Sequence, residues 1–480
     1  MSEQQTTVEE KAEQSSRVWK FVRRSLWVIF IVFLLVCGGY YYRSYRIKKE
    51  LDEAIAKVDQ LDPGWRAKEL EANRKPIPDA ENGALVIQKV TGILGLKWDQ
   101  PGLELWSLDP QHRLRPDQMR ELQAILKRVD IARKEIRSLM RFSQGRFPDR
   151  IVPMDPFKEG DGGASIPSVS RLISLDAHLV IEEKKFDEGL FCAQLMLHCA
   201  KMLGHQFSVL RYLIRNYCGR SAVLILERTL AQGESKKEKR LIELGESLQQ
   251  ELAPQRFVDA VRGERASIHG LMLHFAQNPE SRKIKLFFDP PSWGRKHLPG
   301  YFRDEIRVAH AEILPLYPEM LSHLKLPPHE LRKQAKQLDA RKCETAMAER
   351  WRPSFEAAVK ARQLHHAQVR TAQVGLALER FRLQHNKWPD SLMELTPKCI
   401  KKIPLDPFDG KPLRYRPFEQ GVVVYSVGDN GVDDFGNPAD SPTGTGRTDE
   451  TFRLWDVKHR RQPPKPKPKD EFGLLCGDRE

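Results

Sequence analysis

The chain has 480 residues, of which 40% are hydrophobic and 30% are charged, values typical of folded globular protein. This composition excludes a wholly disordered chain and suits about two to four domains. The net charge of +14 comes from Lys and Arg scattered along the chain. Basic runs interleaved with base-stacking aromatics do not occur. We therefore predict no nucleic-acid partner, and expect the basic surface to suit anionic lipid head groups or polysaccharide.

A membrane anchor is predicted near the N-terminus. Residues 25–42 read SLWVIFIVFLLVCGGYYY, a stretch without a charge that as a helix spans about 27 Å and matches the hydrocarbon core of a bilayer. Trp27 and the tyrosines at 40–42 lie at its two ends, where amphipathic rings favour the head-group layer. The stretch therefore predicts one transmembrane helix in contact with membrane lipid.

The orientation of this anchor does not follow from charge, because basic residues flank it equally on both sides. A short tail ahead of one apolar segment is typical of a signal anchor. We predict that residues 1–24 lie in the cytoplasm and that the C-terminal part lies outside a bacterial inner membrane. Two cleavable alternatives stay open. The small-residue pattern of a cleaved signal peptide is missing, and residues 34–38 around Cys37 outline a lipoprotein signal from which Val36 departs.

Residues 43–355 carry mostly helical periodicity. Apolar residues at helical spacing predict helices over residues 51–61, 82–94, 116–140, 171–183, 187–203, 207–232, 238–252 and 301–314. Loops are predicted at residues 143–168 and 279–299, where Gly, Pro and Asp occur without a period. No fixed repeat length is present. This exported region is predicted to be an irregular helical bundle, with a helical-repeat-like packing as the alternative.

Chemical motifs are missing from this helical region. Cys192 and Cys199 lie seven residues apart without a Cys-x-x-Cys pattern. His178 and Glu182 lack the His-Glu-x-x-His pattern of zinc peptidases. We interpret these residues as parts of the core and predict mostly free thiols, so the protein is more simply a non-enzymatic one. The alternative is an envelope hydrolase whose Asp and His side chains converge from different helices.

The C-terminal part has a different pattern. A helix with a wide apolar face is predicted over residues 355–385, and short strands over residues 413–416, 422–426 and 452–455. One long helix packed on a small antiparallel sheet is the economical way to bury that face. The predicted fold is therefore mainly α, with a transmembrane helix, a helical middle and a small α+β domain over residues 356–457.

The order of these elements resembles the globular domain of the G-type, or major, pseudopilin of type II secretion systems. The matching residues are Ala377–Phe381, Asn386–Pro389, Leu395, Asp406–Tyr415, Tyr425–Gly431, Asp433, Asp434 and Trp455. The leader, cleavage site and early glutamate of pseudopilins are missing here, and about 300 residues separate the anchor from the module. The chain as a whole also resembles membrane-anchored planctomycete-type proteins, a resemblance that implies no activity.

The resemblance implies a structural calcium ion in the loop after the second strand. Asp429, Asp433 and Asp434 crowd this glycine-rich loop, and calcium prefers six to eight carboxylate, carbonyl and water oxygens. The alternative is that these aspartates only shape turns. We predict these three residues as candidate calcium ligands.

The last segment, residues 458–480, alternates Pro with Lys and is predicted to be a disordered basic tail. Taken together, the sequence predicts a membrane-anchored, extracytoplasmic protein that binds envelope partners or acts as a scaffold. A divergent component of a secretion or pilus system is a further alternative.

Overall fold

The computed structural model describes residues 3–95, 98, 105, 108–147, 165–204, 207–235, 237–278, 299–436 and 449–466. The described chain is mainly helical, with one small antiparallel sheet near the C-terminus and one long apolar helix near the N-terminus. This confirms the coarse fold prediction. The predicted loops at 143–168 and 279–299 lie largely outside the described residues. The chain divides into two compact units, which are described separately below.

Unit 1 comprises Met1–Pro63, Met272–Pro315 and Cys343–Arg352. Helix α1 (Glu3–Leu61) contains the predicted anchor, and the apolar window within its Trp19–Leu61 part has 0% of its residues buried. In the described chain it is the one helix long and apolar enough to cross a membrane.

Two further helices complete unit 1. They are α11 (Pro299–Ile313) and α14 (Ala346–Trp351). Helix α11 packs along α1, and α14 packs on α11. The part of α1 beyond the anchor is therefore covered by protein along one side, where Ile47, Leu51 and Val58 are buried.

Unit 2 comprises Gly64–Leu271, Leu316–Lys342 and Pro353–Glu480. Its first helices are α2 (Ala67–Ala72), α3 (Ala84–Leu94), α4 (Pro116–Arg128), α5 (Asp130–Arg137), α6 (Ser165–Glu182) and α7 (Phe186–Lys201). They are followed by α8 (Val209–Gln232), α9 (Glu238–Glu251), α10 (Gln255–Gln277), α12 (Leu316–His323), α13 (Pro328–Asp339) and α15 (Phe355–His385). The last turn of α10, from Met272, belongs to unit 1.

The predicted helices are present, but others, among them α10 and α13, were not predicted, and one predicted helix is divided. The single helix predicted over residues 116–140 is two helices and a short 3-10 turn, with a break at Val129, whose φ of −114° and ψ of 25° are not helical. Asp130 then opens α5, where an acidic side chain favours a helix N-terminus. The apolar spacing is continuous across the break, so periodicity alone did not reveal it.

The sheet has three strands in the order β1-β2-β3: β1 (Arg414–Phe418), β2 (Gly421–Ser426) and β3 (Glu450–Trp455). Both pairs are antiparallel, with Tyr415 opposite Val424 and Val424 opposite Phe452. All residues of the central strand β2 are buried, which explains its continuous apolar sequence.

Helix α15 joins this sheet to the helical part of unit 2. It contacts β2 and β3, and it also contacts α8, α9 and α13. Gly375 brings it close to the sheet, because the ring of Phe452 occupies the place where a Cβ would stand. One hydrophobic core runs from Ala84 to Leu454 through both parts. The domain boundary predicted between residues 355 and 356 therefore falls inside unit 2.

The segment at residues 456–465, here called the C-terminal strap, differs from the predicted disordered tail. The Arg460 guanidinium donates to both carboxylate oxygens of Glu379, at 3.0 and 2.9 Å, and the Arg461 Nη2 donates to the Glu182 backbone oxygen at 2.7 Å. Buried partners thus order a segment whose composition suits disorder. Residues 467–480 lie outside the described residues.

Candidate functional site

The candidate site is the loop that follows β2, Asp429–Gly436, here called the acidic loop. Glycines allow its tight course, since Gly428, Gly431 and Gly436 have φ of 62°, 68° and 66°, in the left-handed region. The loop leaves the buried end of β2 and contains all three predicted calcium ligands. Its exit leads, after residues outside the described chain, to Asp449 at the start of β3.

A buried carboxylate fixes the entry to this loop. Asp406, which is 1% exposed, accepts hydrogen bonds from the Ser426 hydroxyl at 2.8 Å and the Val427 backbone amide at 2.9 Å. It also accepts from the Phe408 amide at 2.9 Å and from Arg414 at 3.1 Å. The turn at residues 406–410 therefore clamps the end of β2, and Asp406 is the residue that does so.

Asp429 is neutralised by cationic side chains of two helices. Its carboxylate is 2.5 Å from the Nη1 of Arg332 on α13 and 2.5 Å from the Nζ of Lys360 on α15. Arg332 also donates to Glu356 at 2.9 Å. Burial by itself would raise the pKa of the Asp429 carboxyl, but the hydrogen bonds from Lys360 and Arg332 outweigh it and the pKa is lowered. Asp429 thus fixes the first residue of the acidic loop to the helices.

Asp433 and Asp434 lie in a second environment. The Asp433 Oδ2 accepts from the Nε of Arg414 at 3.1 Å, and its Oδ1 accepts from the Phe435 amide at 3.0 Å. The Asp434 Oδ2 accepts from the Asn430 amide at 3.2 Å. Arg414 also pairs with Asp406 and Asp409, so one guanidinium neutralises several carboxylates.

The three predicted calcium ligands are therefore not brought together as a set. In the residues that the structure describes, no group of three His, Cys, Asp or Glu side chains is arranged to hold a metal ion. The physical reason for the separation is visible: Asp429 is drawn to Lys360 and Arg332. Calcium binding itself stays a prediction.

Asp449 is a carboxylate that the sequence interpretation missed. It is 9% exposed, and its Oδ2 accepts from the Gly436 amide at 2.7 Å. Its Oδ1 is buried without a hydrogen-bond partner among the described atoms. Burial is the main cause that raises the pKa of Asp449 to about 6; backbone amides oppose this rise, and the nearby carboxylates of Asp434 and Asp433 add to it. In the sequence, the only signal for Asp449 was an acidic residue just before the third strand. A long stretch rich in Gly, Pro and Thr separates it from the acidic loop.

The acidic loop also turns two apolar side chains to solvent. Val432 is 56% exposed and Phe435 is 60% exposed. Phe435 has a φ of 60°, a backbone conformation that costs about 1–3 kcal/mol for a residue other than glycine and persists only where the surroundings enforce it. Here the Asp433 carboxylate holds the Phe435 amide. Exposed apolar residues on a loop that is tied at several points are typical of a binding loop.

Two histidines of the helical region, His178 and His198, each contact a backbone oxygen. The Nδ1 of His178 lies 2.8 Å from the Ser174 backbone oxygen, and burial lowers its pKa to about 3. The Nε2 of His198 lies 2.6 Å from the Phe142 backbone oxygen. Cys192 and Cys199 are buried free thiols, and burial raises the pKa of the Cys192 thiol. His178 is thus bonded within its own helix, whereas His198 connects α7 to the backbone at Phe142.

A surface hollow of about 570 Å³ lies beside α3 and α5. Two of its three charged lining residues are engaged in ion pairs, Lys134 with Asp130 and Glu135 with Lys89.

Comparisons with models of known protein families, with characterised proteins and with solved structures found no match. The resemblance to the G-type pseudopilin rests on the residues of this chain alone.

Proposed function

We propose that this chain is a single-pass, membrane-anchored, extracytoplasmic protein without enzymatic activity, which binds an envelope partner through the acidic loop. The observation that carries the proposal is the pair Val432 and Phe435, exposed on a loop whose two ends are fixed. A loop held in one conformation loses little entropy when a partner binds, so its apolar side chains contribute more of their burial to affinity.

The anchor is supported by exposure. The apolar window of α1 has no part buried within the protein, and an uncovered apolar surface of this size needs lipid or another protein. A short N-terminal segment ahead of one apolar helix favours an orientation with residues 1–24 in the cytoplasm.

A scaffolding role for unit 2 is supported by the use of its buried charges. Arg215 and Arg256 both pair with Glu251, at 2.7 and 2.8 Å. Arg382 and Arg460 both pair with Glu379, at 2.8 and 2.9 Å. Each of these carboxylates is shared by cations from distant parts of the chain, and removing one partner of such a buried pair costs about 3–5 kcal/mol. Charges used in this way hold helices together and are unavailable for proton transfer.

We propose that the pseudopilin-like domain is used here as a module that supports the acidic loop. The long helix, the small sheet and the Asp406 clamp form a rigid base for the acidic loop. Filament formation is not proposed, because about 300 residues separate the anchor from the module and interrupt the continuous helix that a filament subunit would need. A structural calcium ion at the exit of the acidic loop, near Asp449, is proposed as a supplement to the ion pairs at its entry.

The proposal is tested by affinity capture of the full-length protein from solubilised envelopes. The double variant Val432→Asp with Phe435→Asp is expected to lose the captured partner, whereas Ile131→Asp is the matched control, because Ile131 is a 71% exposed apolar residue on α5. Equal loss in both variants, or loss in neither, would contradict binding through the acidic loop.

A further inference from the structure

Unit 1 contains a helix whose height above the membrane is fixed by the anchor. Helix α11 begins beside Tyr40, because Gly300 has no Cβ and the Tyr40 hydroxyl oxygen occupies that place. The next contacts follow in order along both helices. The Ser44 hydroxyl donates to Asp304 at 3.0 Å, and the Arg43 Nη2 donates to Glu305 at 3.0 Å.

These contacts show that α11 runs in the same direction as α1, away from the apolar span. The Arg43 guanidinium also lies over the Tyr301 ring, 5.0 Å from its centre. The buried residues Ile47 and Leu51 continue the contact on the α1 side. Two hydrogen bonds, a cation–π contact and an apolar seam therefore fix the position of α11 along α1.

The depth of α11 then follows from the anchor. The apolar span ends at Tyr42, so Gly300 and Tyr301 lie at the edge of the hydrocarbon. A head-group layer adds roughly 5–8 Å on each side of the hydrocarbon core. With a rise of about 1.5 Å per residue, Arg303 stands about 5 Å and Arg307 about 10 Å beyond Gly300. Both arginines can place their guanidinium groups at the level of lipid phosphates.

The two arginines face a hollow in unit 1. Arg303, Arg307 and His310 follow one another at i, i+4 and i+7 on one face of α11. They line a cavity of about 240 Å³ together with Leu51, Leu273, Ala276, Gln277 and Ile306. Arg307 is tied to Asp304 at 3.3 Å, whereas Arg303 is exposed and has no ion-pair partner in the part of the chain that the structure describes.

This combination matches a particular ligand class. Guanidinium groups bind phosphate by parallel hydrogen bonds, and the contacts between α11 and the anchor place Arg303 at the depth of lipid phosphates. We propose that the first two turns of α11 lie in the head-group layer and that Arg303 and Arg307 bind the phosphate of an anionic phospholipid. This inference rests on the proposed membrane anchoring.

Depth is tested first, with the full chain in nanodiscs. Nitroxide labels are placed at single cysteines replacing Tyr301, Leu35 and Lys57, in a background without the accessible native thiols. Collision with oxygen and with a water-soluble nickel chelate reports the depth of each label. We expect the label at 301 to lie between the label at 35, in hydrocarbon, and the label at 57, in water.

The outcomes separate the two proposals. An aqueous label at 35 would overturn the anchor itself. A label at 35 in hydrocarbon with a label at 301 as aqueous as that at 57 would overturn the position of α11 alone.

Lipid binding is tested by native mass spectrometry of the full chain released from nanodiscs of mixed phosphatidylglycerol and phosphatidylcholine. The wild type should retain phosphatidylglycerol in excess, and the variant Arg303→Gln with Arg307→Gln should lose that excess several-fold. Arg46→Gln is the control, since Arg46 is an exposed arginine of α1 just beyond the anchor. Equal losses in both variants would contradict a site on α11.

Inorganic phosphate distinguishes a lipid head group from a free anion. Added in large excess, it should not displace phosphatidylglycerol, because the acyl chains of the lipid also contact the exposed apolar side chains of α1. Complete displacement by inorganic phosphate would overturn the lipid assignment. Unchanged thermal unfolding of each variant shows that unit 1 remains folded.

Discussion

The two ends of the acidic loop are held by carboxylates in opposite states, Asp429 at its first residue and Asp449 on the amide of its last residue, Gly436. At the entry, Asp429 lies between Arg332 and Lys360, and its pKa is lowered. At the exit, Asp449 is nearly buried, has other carboxylates nearby, and its pKa is raised to about 6. Spacing in the sequence suggested one acidic cluster. The helix that packs against a carboxylate therefore determines whether it has a cationic partner. Its neighbours in the loop sequence do not.

The two ends should also respond to pH in opposite ways. Asp429 stabilises the fold above the unfolded pKa of about 3.9, and that contribution is lost as the pH falls through its lower folded pKa. Asp449 behaves in the reverse sense. Its contribution is fully present below about pH 3.9 and is lost as the pH rises through about 6. At neutral pH Asp429 therefore makes its full contribution to stability, whereas the contribution of Asp449 is lost.

The largest expected effect comes from removing the Asp406 clamp at the end of β2. Asp406→Ala should lower the free energy of unfolding of unit 2 by about 3 kcal/mol, because it leaves Arg414 without its buried partner and the amide of Val427 without an acceptor. Denaturant unfolding of the full chain in detergent measures this. Asp409→Ala is the control, since Asp409 pairs with the same arginine but is more exposed. A loss no larger than in that control would contradict the clamp.

The exit is tested by making Asp449 permanently neutral. Asp449→Asn should raise the stability of unit 2 at pH 7.5 by about 3 kcal/mol, since ionising the buried carboxyl costs about 1.4 kcal/mol for each unit by which its pKa is raised. At pH 4.5 the variant and the wild type should be nearly equal. Thermal unfolding at both pH values is the measurement. A stabilisation that is the same at both would show that ionisation of Asp449 is not its cause.

Calcium binding should depend on Asp449 and not on Asp429, which distinguishes the two ends of the loop. If calcium binds, it should raise the melting temperature of the wild type, and Asp449→Asn should abolish this rise, because a cation favours the ionised carboxylate. Asp429→Asn should keep the rise, because the Asp429 carboxylate is already neutralised by protein cations. Magnesium is the control ion, since it binds less readily to irregular oxygen sites. If only Asp429→Asn lost the calcium response, calcium would bind at Asp429, as the sequence predicted, and not at Asp449.

The entry should show a smaller effect. Asp429→Asn is expected to destabilise unit 2 by about 1 kcal/mol, a value typical of partly exposed pairs, and the loss should shrink in high salt. Lys360→Gln should have a similar effect, and the double variant should lose less than the sum of the two. Strict additivity in this cycle would argue that the two side chains do not interact.

The smallest effect concerns the strained residue of the loop. Phe435→Gly should leave stability unchanged or raise it by about 0.5–1 kcal/mol, because glycine adopts a positive φ without cost. The same change should weaken partner capture, because it removes an exposed aromatic side chain. A destabilised variant with unchanged capture would indicate that Phe435 serves the fold.

Much of the local structure could be predicted from the sequence. Charge-free composition identified the anchor, and continuous apolar periodicity identified α15, because these signals are carried by neighbouring residues. The strands around Val424 and Phe452 followed from their β-branched and aromatic content. Boundaries between units could not be predicted in the same way. The face of α15 that contacts α8 and α9 is as apolar as the face that contacts the sheet, so the pattern shows burial but not the partner.

The parts that the sequence could not predict depend on long-range charge pairing. Arg460 is ordered because Glu379 is buried where the strap passes, and Asp429 is drawn to Lys360 rather than to a metal. Asp449 joins the site only because β3 pairs with β2. Such pairings bring together residues far apart in sequence, and composition suggested disorder for the first and calcium for the second.

The central claim is that the acidic loop binds a partner through Val432 and Phe435. The most direct test is to place a photo-crosslinking amino acid at position 435 of the full-length protein in its membrane, with position 131 as the control. We expect one dominant crosslinked product from position 435 and none of that size from position 131. The same products from both positions, or none from position 435, would contradict it.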